Sequence, residues 1–177
     1  MSRRSLFSLP AARAATGALA LAGMGFGLGA CSSTGGSAGA GASSSDGSCS
    51  GVSGAHHARV VVEPSAGTVV AHCVGFAPST ISATTLLHDS GVELGTQDFG
   101  GSLGLGICQV DHVPAHYSQC LPSNADYWAV FVSSDGKPWV SPSTGVSQVT
   151  LHPGDSLGLR YDSPQGDPAP PPAPRPA

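Results

Sequence analysis

Positive charge is scarce in this chain. Only 10% of its 177 residues are charged, and seven are Lys or Arg. Three of these, Arg3, Arg4 and Arg13, stand near the start, whereas all eleven acidic residues lie beyond Cys31. From there on, four basic residues face eleven acidic ones, a formal −7. Such a chain has no basic footprint for a phosphate backbone, which excludes nucleic acid as a partner. It also has no polybasic segment to hold an anionic lipid surface. Aromatic residues are few, at 6%, so each one in a small core carries more weight than usual. No Cys-x-x-Cys pair occurs, and the usual spacing of zinc thiolates is therefore missing. No serine sits in a Gly-x-Ser-x-Gly elbow between a strand and a helix. The glycines of 100–106 precede a strand, not a helix, which is the wrong context for a phosphate loop. The sequence makes no case for an enzyme, and it implies no cofactor.

What is abundant is Gly and Pro, 25 and 15 residues, and both are unevenly placed. Arg3 and Arg4 open a short basic region, and an Ala/Gly-rich apolar stretch follows from Ala14 to Ala30. This is the three-part plan of an export signal, here 1–30. Ser2-Arg3-Arg4-Ser5-Leu6 is similar to a twin-arginine signal, and an ordinary secretory signal is the alternative. The stretch closes on Leu28-Gly29-Ala30-Cys31, which is similar to a bacterial lipobox. Cys31 is therefore the expected lipidation site, and the expected location is the outer face of the cell membrane, reached through the lipid anchor. Residues 31–54, mostly Ser, Gly and Ala, bury too little to fold alone and read as a tether. Residues 164–177 hold seven prolines and read as an extended, unpacked tail.

The remaining residues, 55–163, suit one small domain. Val60-Val61-Val62 predicts a strand, and 68–76 a second that pairs with it as a hairpin. Ser79 or Thr80 offers an N-cap for a helix carrying Ile81, Thr84, Thr85, Leu86 and Leu87, with Gly91 as its stop. Residues 91–106 read as loop. Strands are expected at 107–110, at 127–132 as the central one, at 146–151 and at 157–161, with Pro153-Gly154-Asp155 as a turn. The fold class is α+β: a small mixed β-sheet with one packed helix, stapled by disulfides.

Several of these residues, taken in order, carry a resemblance. The helix residues from Ser79 to His88 lead to Gly91, then to Phe99-Gly100 and Ile107-Cys108-Gln109-Val110. Tyr127-Trp128, Gly136, Trp139 and Gly145 follow, and Leu151-His152-Pro153-Gly154-Asp155 comes last. Between about Val60 and Asp162 the chain resembles the transcobalamin-like C-terminal domain family. That resemblance implies a β-grasp-like fold in a surface or secreted protein. The animal namesakes bind a corrinoid with this module together with a larger helical domain. This sequence has the pattern for one helix only, so corrinoid binding is not carried over.

Besides Cys31, four cysteines remain: Cys49, Cys73, Cys108 and Cys120. They allow three connectivities. In an exported domain the favoured pairing is Cys108–Cys120, closing a short loop, with Cys49–Cys73 pinning the tether to the second strand. Seven histidines are spread over the domain, at 56, 57, 72, 88, 112, 116 and 152. Asp111, His112 and His116 share one loop that His56 and His57 could approach, which makes a histidine metal site the alternative reading. The aromatic residues Tyr127, Trp128, Trp139 and Tyr161 are the candidate binding residues, together with the loop 95–106. The expected function is that of a tethered binding module. Its partner would be a small ligand, a glycan or an envelope protein. A structural accessory without a small ligand is the third reading.

Overall fold

The structure is a computed structural model and describes residues 43–44, 46–164 and 171. The expected export signal at 1–30, the expected lipidation site Cys31 and most of the tail at 164–177 lie outside the described residues. In chain order the strands are β1 (Ser43–Ser44), β2 (His56–Ser65), β3 (Thr68–Phe76) and β4 (Ile81–Ser82). Helix α1 (Ala83–Ser90) follows, then β5 (Leu94–Asp98), β6 (Leu105–Val110) and β7 (Tyr127–Ser133). A 3-10 turn (Val146–Gln148), β8 (Thr150–Leu151) and β9 (Ser156–Asp162) complete the fold. It is a mixed α+β architecture.

The main sheet has five strands in the order β1-β3-β2-β9-β7. β2 and β3 form the expected hairpin, and β7 runs antiparallel to β9. The first long strand and the last, β2 and β9, lie parallel, with Val60 beside Leu157 and Val62 beside Leu159. Two shorter sheets, β4–β8 and β5–β6, complete the domain.

Four expectations are corrected. The helix starts later than expected, with Ser82 as its N-cap, accepting a hydrogen bond from Thr85 N–H at 3.1 Å. Ile81 is buried and pairs with Leu151, and this tertiary pairing draws residues 81–82 into extended backbone. The helix does end at Gly91, which takes the left-handed conformation at φ 81°. Residues 91–106 are not only loop, because 94–98 form β5 against β6. Residues 146–151 are a 3-10 turn and a two-residue strand, not one strand. β7 lies at the end of the sheet, and β2 and β9 occupy the middle.

Strand alternation explains the core. Ala58, Val60 and Val62 of β2, Val74 and Phe76 of β3, and Leu157 and Leu159 of β9 share one face of the main sheet. Ala83, Leu86 and Leu87 of α1 pack into the same cluster, as do Ile107, Val110, Trp128, Val146 and Leu151. The opposite face is buried too: Val61, Glu63, Ser156, Gly158, Ala129, Phe131 and Ser133 are all shielded. On that face Glu63 pairs with Arg160 at 3.3 Å and accepts Gly67 N–H at 2.9 Å.

The folded part begins before residue 55. β1 pairs with β3, Asp46 bridges Ala71, and Arg59 Nε donates to the Gly47 carbonyl at 3.1 Å. Cys49 is bonded to Cys73 and Cys108 to Cys120, closing sequence separations of 24 and 12 residues. Among the described residues no helix is long and apolar enough to cross a membrane.

Candidate interaction surface

The β5–β6 hairpin packs its inner face into the core and carries two glycines on its outer one. A bulge between Gly95 and Thr96 pairs these neighbours with Gln109 and Ile107, leaving Cys108 as the extra residue. The bulge shifts the phase of the strand, so Ile107 and Val110 both reach the core although three positions apart. Gly95, Gly106 and Gln109 are left on the outer face. At its tip the hairpin is tied to the 3-10 turn, where Leu105 N–H donates to Ser147 Oγ at 2.9 Å.

The segment between β6 and β7 folds back over this outer face. Cys108–Cys120 anchors it, and Gln109 Nε2 donates to the Pro114 carbonyl at 2.7 Å. The two glycines then decide what fits. A Cβ built on Gly106 would lie 2.6 Å from Phe99 Cε2 and 3.1 Å from Leu121 Cδ1. One built on Gly95 would lie 2.9 Å from the Tyr117 hydroxyl. Side chains of Phe99, Leu121 and Tyr117 thus rest where the glycines leave room. They remain 38%, 42% and 42% exposed, and Leu103 at the hairpin tip is 60% exposed. These four side chains, held partly open to solvent beside a cross-linked loop, form the candidate surface.

The four aromatic residues singled out in the sequence do not converge on one surface. Trp128 is buried in the core and donates from Nε1 to the Val113 carbonyl at 2.8 Å. Tyr161 packs against it, with ring centroids 5.3 Å apart. Burial, and secondarily the negative charge of Asp126, raises the Tyr161 hydroxyl pKa above its ordinary value. Tyr127 falls on the opposite face of β7, and Trp139 packs over Gly158 on that same side of the sheet. Alternation along β7 divides the adjacent pair Tyr127-Trp128 between the two faces. Of the candidate loop 95–106, Phe99 and Leu103 belong to the exposed apolar surface. Tyr117 and Leu121 were not singled out in the sequence. Their signal was faint: apolar residues in a polar loop, on either side of Cys120.

Three of the seven histidines pair singly with carboxylates: His112 with Glu93 at 3.1 Å, His88 with Asp89 at 3.0 Å and His152 with Asp155 at 3.6 Å. His57 Nε2 meets the Val52 carbonyl at 2.9 Å, and His56 packs on Phe76. His72 is half-buried. Burial lowers its pKa, and the nearby Asp111 carboxylate opposes the shift. Among the described residues no group of three His, Cys, Asp or Glu side chains could hold a metal ion. Asp155 is buried and accepts His152 N–H at 2.8 Å, the role of a turn residue. Comparison of the chain with protein-family models, with curated proteins and with solved structures finds no match.

Proposed function

We propose that this chain is a lipid-anchored module outside the cytoplasm that docks an envelope protein through Phe99, Leu103, Tyr117 and Leu121. The observation that carries the reading is the exposure of these four side chains on the hairpin turn and on the loop that Cys108–Cys120 fixes to it. Two disulfides in so small a domain favour an oxidising compartment, in agreement with an export signal at 1–30 followed by a lipidated Cys31. The surface is apolar and built on the β5–β6 hairpin and the loop that folds over it. It suits a protein partner with a complementary apolar patch better than a small polar ligand. The strand order supports a β-grasp-like reading. A hairpin, a helix on one face, and first and last strands parallel at the sheet centre are its ingredients.

A photo-crosslinking residue placed at Leu103 in the natively expressed protein tests the surface, with Thr150 as an exposed control position. The expected outcome is one discrete protein adduct from position 103, lost on Phe99→Ser with Leu121→Ser and absent from position 150. No adduct at 103, or identical adducts at both positions, defeats the proposal. The intact mass of detergent-extracted mature protein tests the anchor. A diacylglyceryl group on Cys31 is expected, and cleavage elsewhere without lipid rejects it.

A further inference from the structure

The second face of the main sheet carries a slot at Gly158. With no side chain of its own, Gly158 leaves space on β9 that two other groups fill. A Cβ built there would lie 2.6 Å from Pro171 Cγ and 3.1 Å from the outer ring atoms of Trp139. Pro171 is buried although it lies within the proline-rich stretch. Trp139 stands between Pro138 and Val140. These two line a shallow groove of about 390 Å³ with Val132, Ser134, Lys137 and Pro142. The indole N–H of Trp139 is buried and has no hydrogen-bond partner among the described residues. A buried indole N–H normally finds an acceptor.

We propose that this slot is an intramolecular receptor for the chain's own proline-rich segment, seated through Pro171 against Trp139 and Gly158. Three features fit that occupant. Polyproline II has no internal hydrogen bonds, so its carbonyls are free to accept from an indole N–H. Aromatic-lined grooves recognise proline because the ring packs flat and the segment is already extended, with little entropy to lose. The segment reads Asp-Pro-Ala-Pro-Pro-Pro-Ala-Pro-Arg-Pro-Ala, and one of its central prolines, Pro171, is the residue seated at Gly158. Tethering supplies an effective concentration on the order of mM, so a weak contact suffices to keep the slot filled.

Acrylamide quenching of tryptophan fluorescence tests this in the mature chain and in a chain ending at Pro164. Trp128, buried in the core, is the internal control. In the mature chain both tryptophans should be shielded. In the shortened chain Trp139 alone should become quenchable, and a synthetic 167–177 peptide should restore its shielding saturably. The same peptide with Pro170, Pro171 and Pro172 replaced by Ala should not. Unchanged quenching after shortening, or equal rescue by the alanine peptide, overturns the proposal. If shortening exposes Trp128 as well, the full-length chain with the same three substitutions decides. Exposure of Trp139 alone supports docking, and no exposure refutes it. Shielding of Trp139 that rises with protein concentration, together with dimer formation, would place a second copy's tail in the slot and reject the intramolecular form.

Discussion

The five-stranded sheet and the β5–β6 hairpin share one hydrophobic core, yet they hold their shape by different means. In the large sheet β2 and much of β7 and β9 are buried on both faces, and β2 and β7 carry Val, Phe and Trp in apolar runs. The hairpin buries only its inner face through Ile107, Val110 and parts of Leu94 and Leu105. Its outer face offers Gly95 and Gly106, and a cross-linked loop takes the place of side chains there. The large sheet is stable because it removes apolar area from water. The hairpin is held by covalent and hydrogen-bonded ties, which is why it can leave apolar side chains exposed without losing its shape. A region stabilised in the second way is free to carry an interaction surface.

The largest effect should come from the sheet centre. Leu159 is fully buried on β9, between β2 and β7. Leu159→Ala removes its packing and leaves a cavity, at a cost of about 2–5 kcal/mol. That is a large fraction of the roughly 5–15 kcal/mol available to a typical domain. Urea denaturation should show a much lower midpoint. The same change at half-buried Leu105 on the hairpin should cost clearly less. Equal losses would mean that the hairpin rests on burial as heavily as the sheet does.

Replacing Cys108 and Cys120 together by Ser should have the next largest effect. The bridge spans 12 residues, and loop closure of that length is worth about 3 kcal/mol. The comparison predicts where the loss appears. Amide exchange should accelerate in β5, β6 and the following loop, while β2 and β9 stay protected. Uniform acceleration across both sheets would show one cooperative unit and remove the distinction drawn here.

The same difference explains what could be read in the sequence. Val60-Val61-Val62 and the run from Tyr127 to Val132 announced strands because a sheet buried on both faces needs continuous apolar runs. The turn at Pro153-Gly154-Asp155 and the helix stop at Gly91 were legible because each depends on local backbone chemistry. β5, Leu-Gly-Thr-Gln-Asp, carries no such pattern and looks like loop in the sequence. Its pairing depends on β6 and on a bulge, which only the folded chain supplies. Ile81 was placed in the helix for its apolar spacing, but its bridge to Leu151 lies 70 residues away. The candidate surface was half legible. The loop holding Phe99 and Leu103 could be named, whereas Tyr117 and Leu121 reach the hairpin only because the segment before β7 folds back. The aromatic quartet misled because composition records how many rings exist, not which face each one takes.

The smallest expected effect lies where the two regions meet. His72 of β3 stands beside Val60 and feels the carboxylate of Asp111, the residue directly after β6. Burial disfavours the charged imidazole, so the folded pKa lies below the ordinary value of about 6.5. Above that pH His72 is neutral in both folded and unfolded chains, and its neutral burial costs no proton. As pH falls below about 6.5, the unfolded chain binds the proton first. Stability should therefore decline until the folded pKa is passed, and then level off. Urea midpoints between pH 8 and pH 5 should show this decline, and His72→Gln should flatten it. Asp111→Asn keeps an Oδ1 acceptor for Glu93 N–H but removes the charge that opposes the shift. The decline should then extend to lower pH. If Asp111→Asn leaves the profile unchanged, the carboxylate does not act across the junction, and the hairpin and sheet meet there by packing alone.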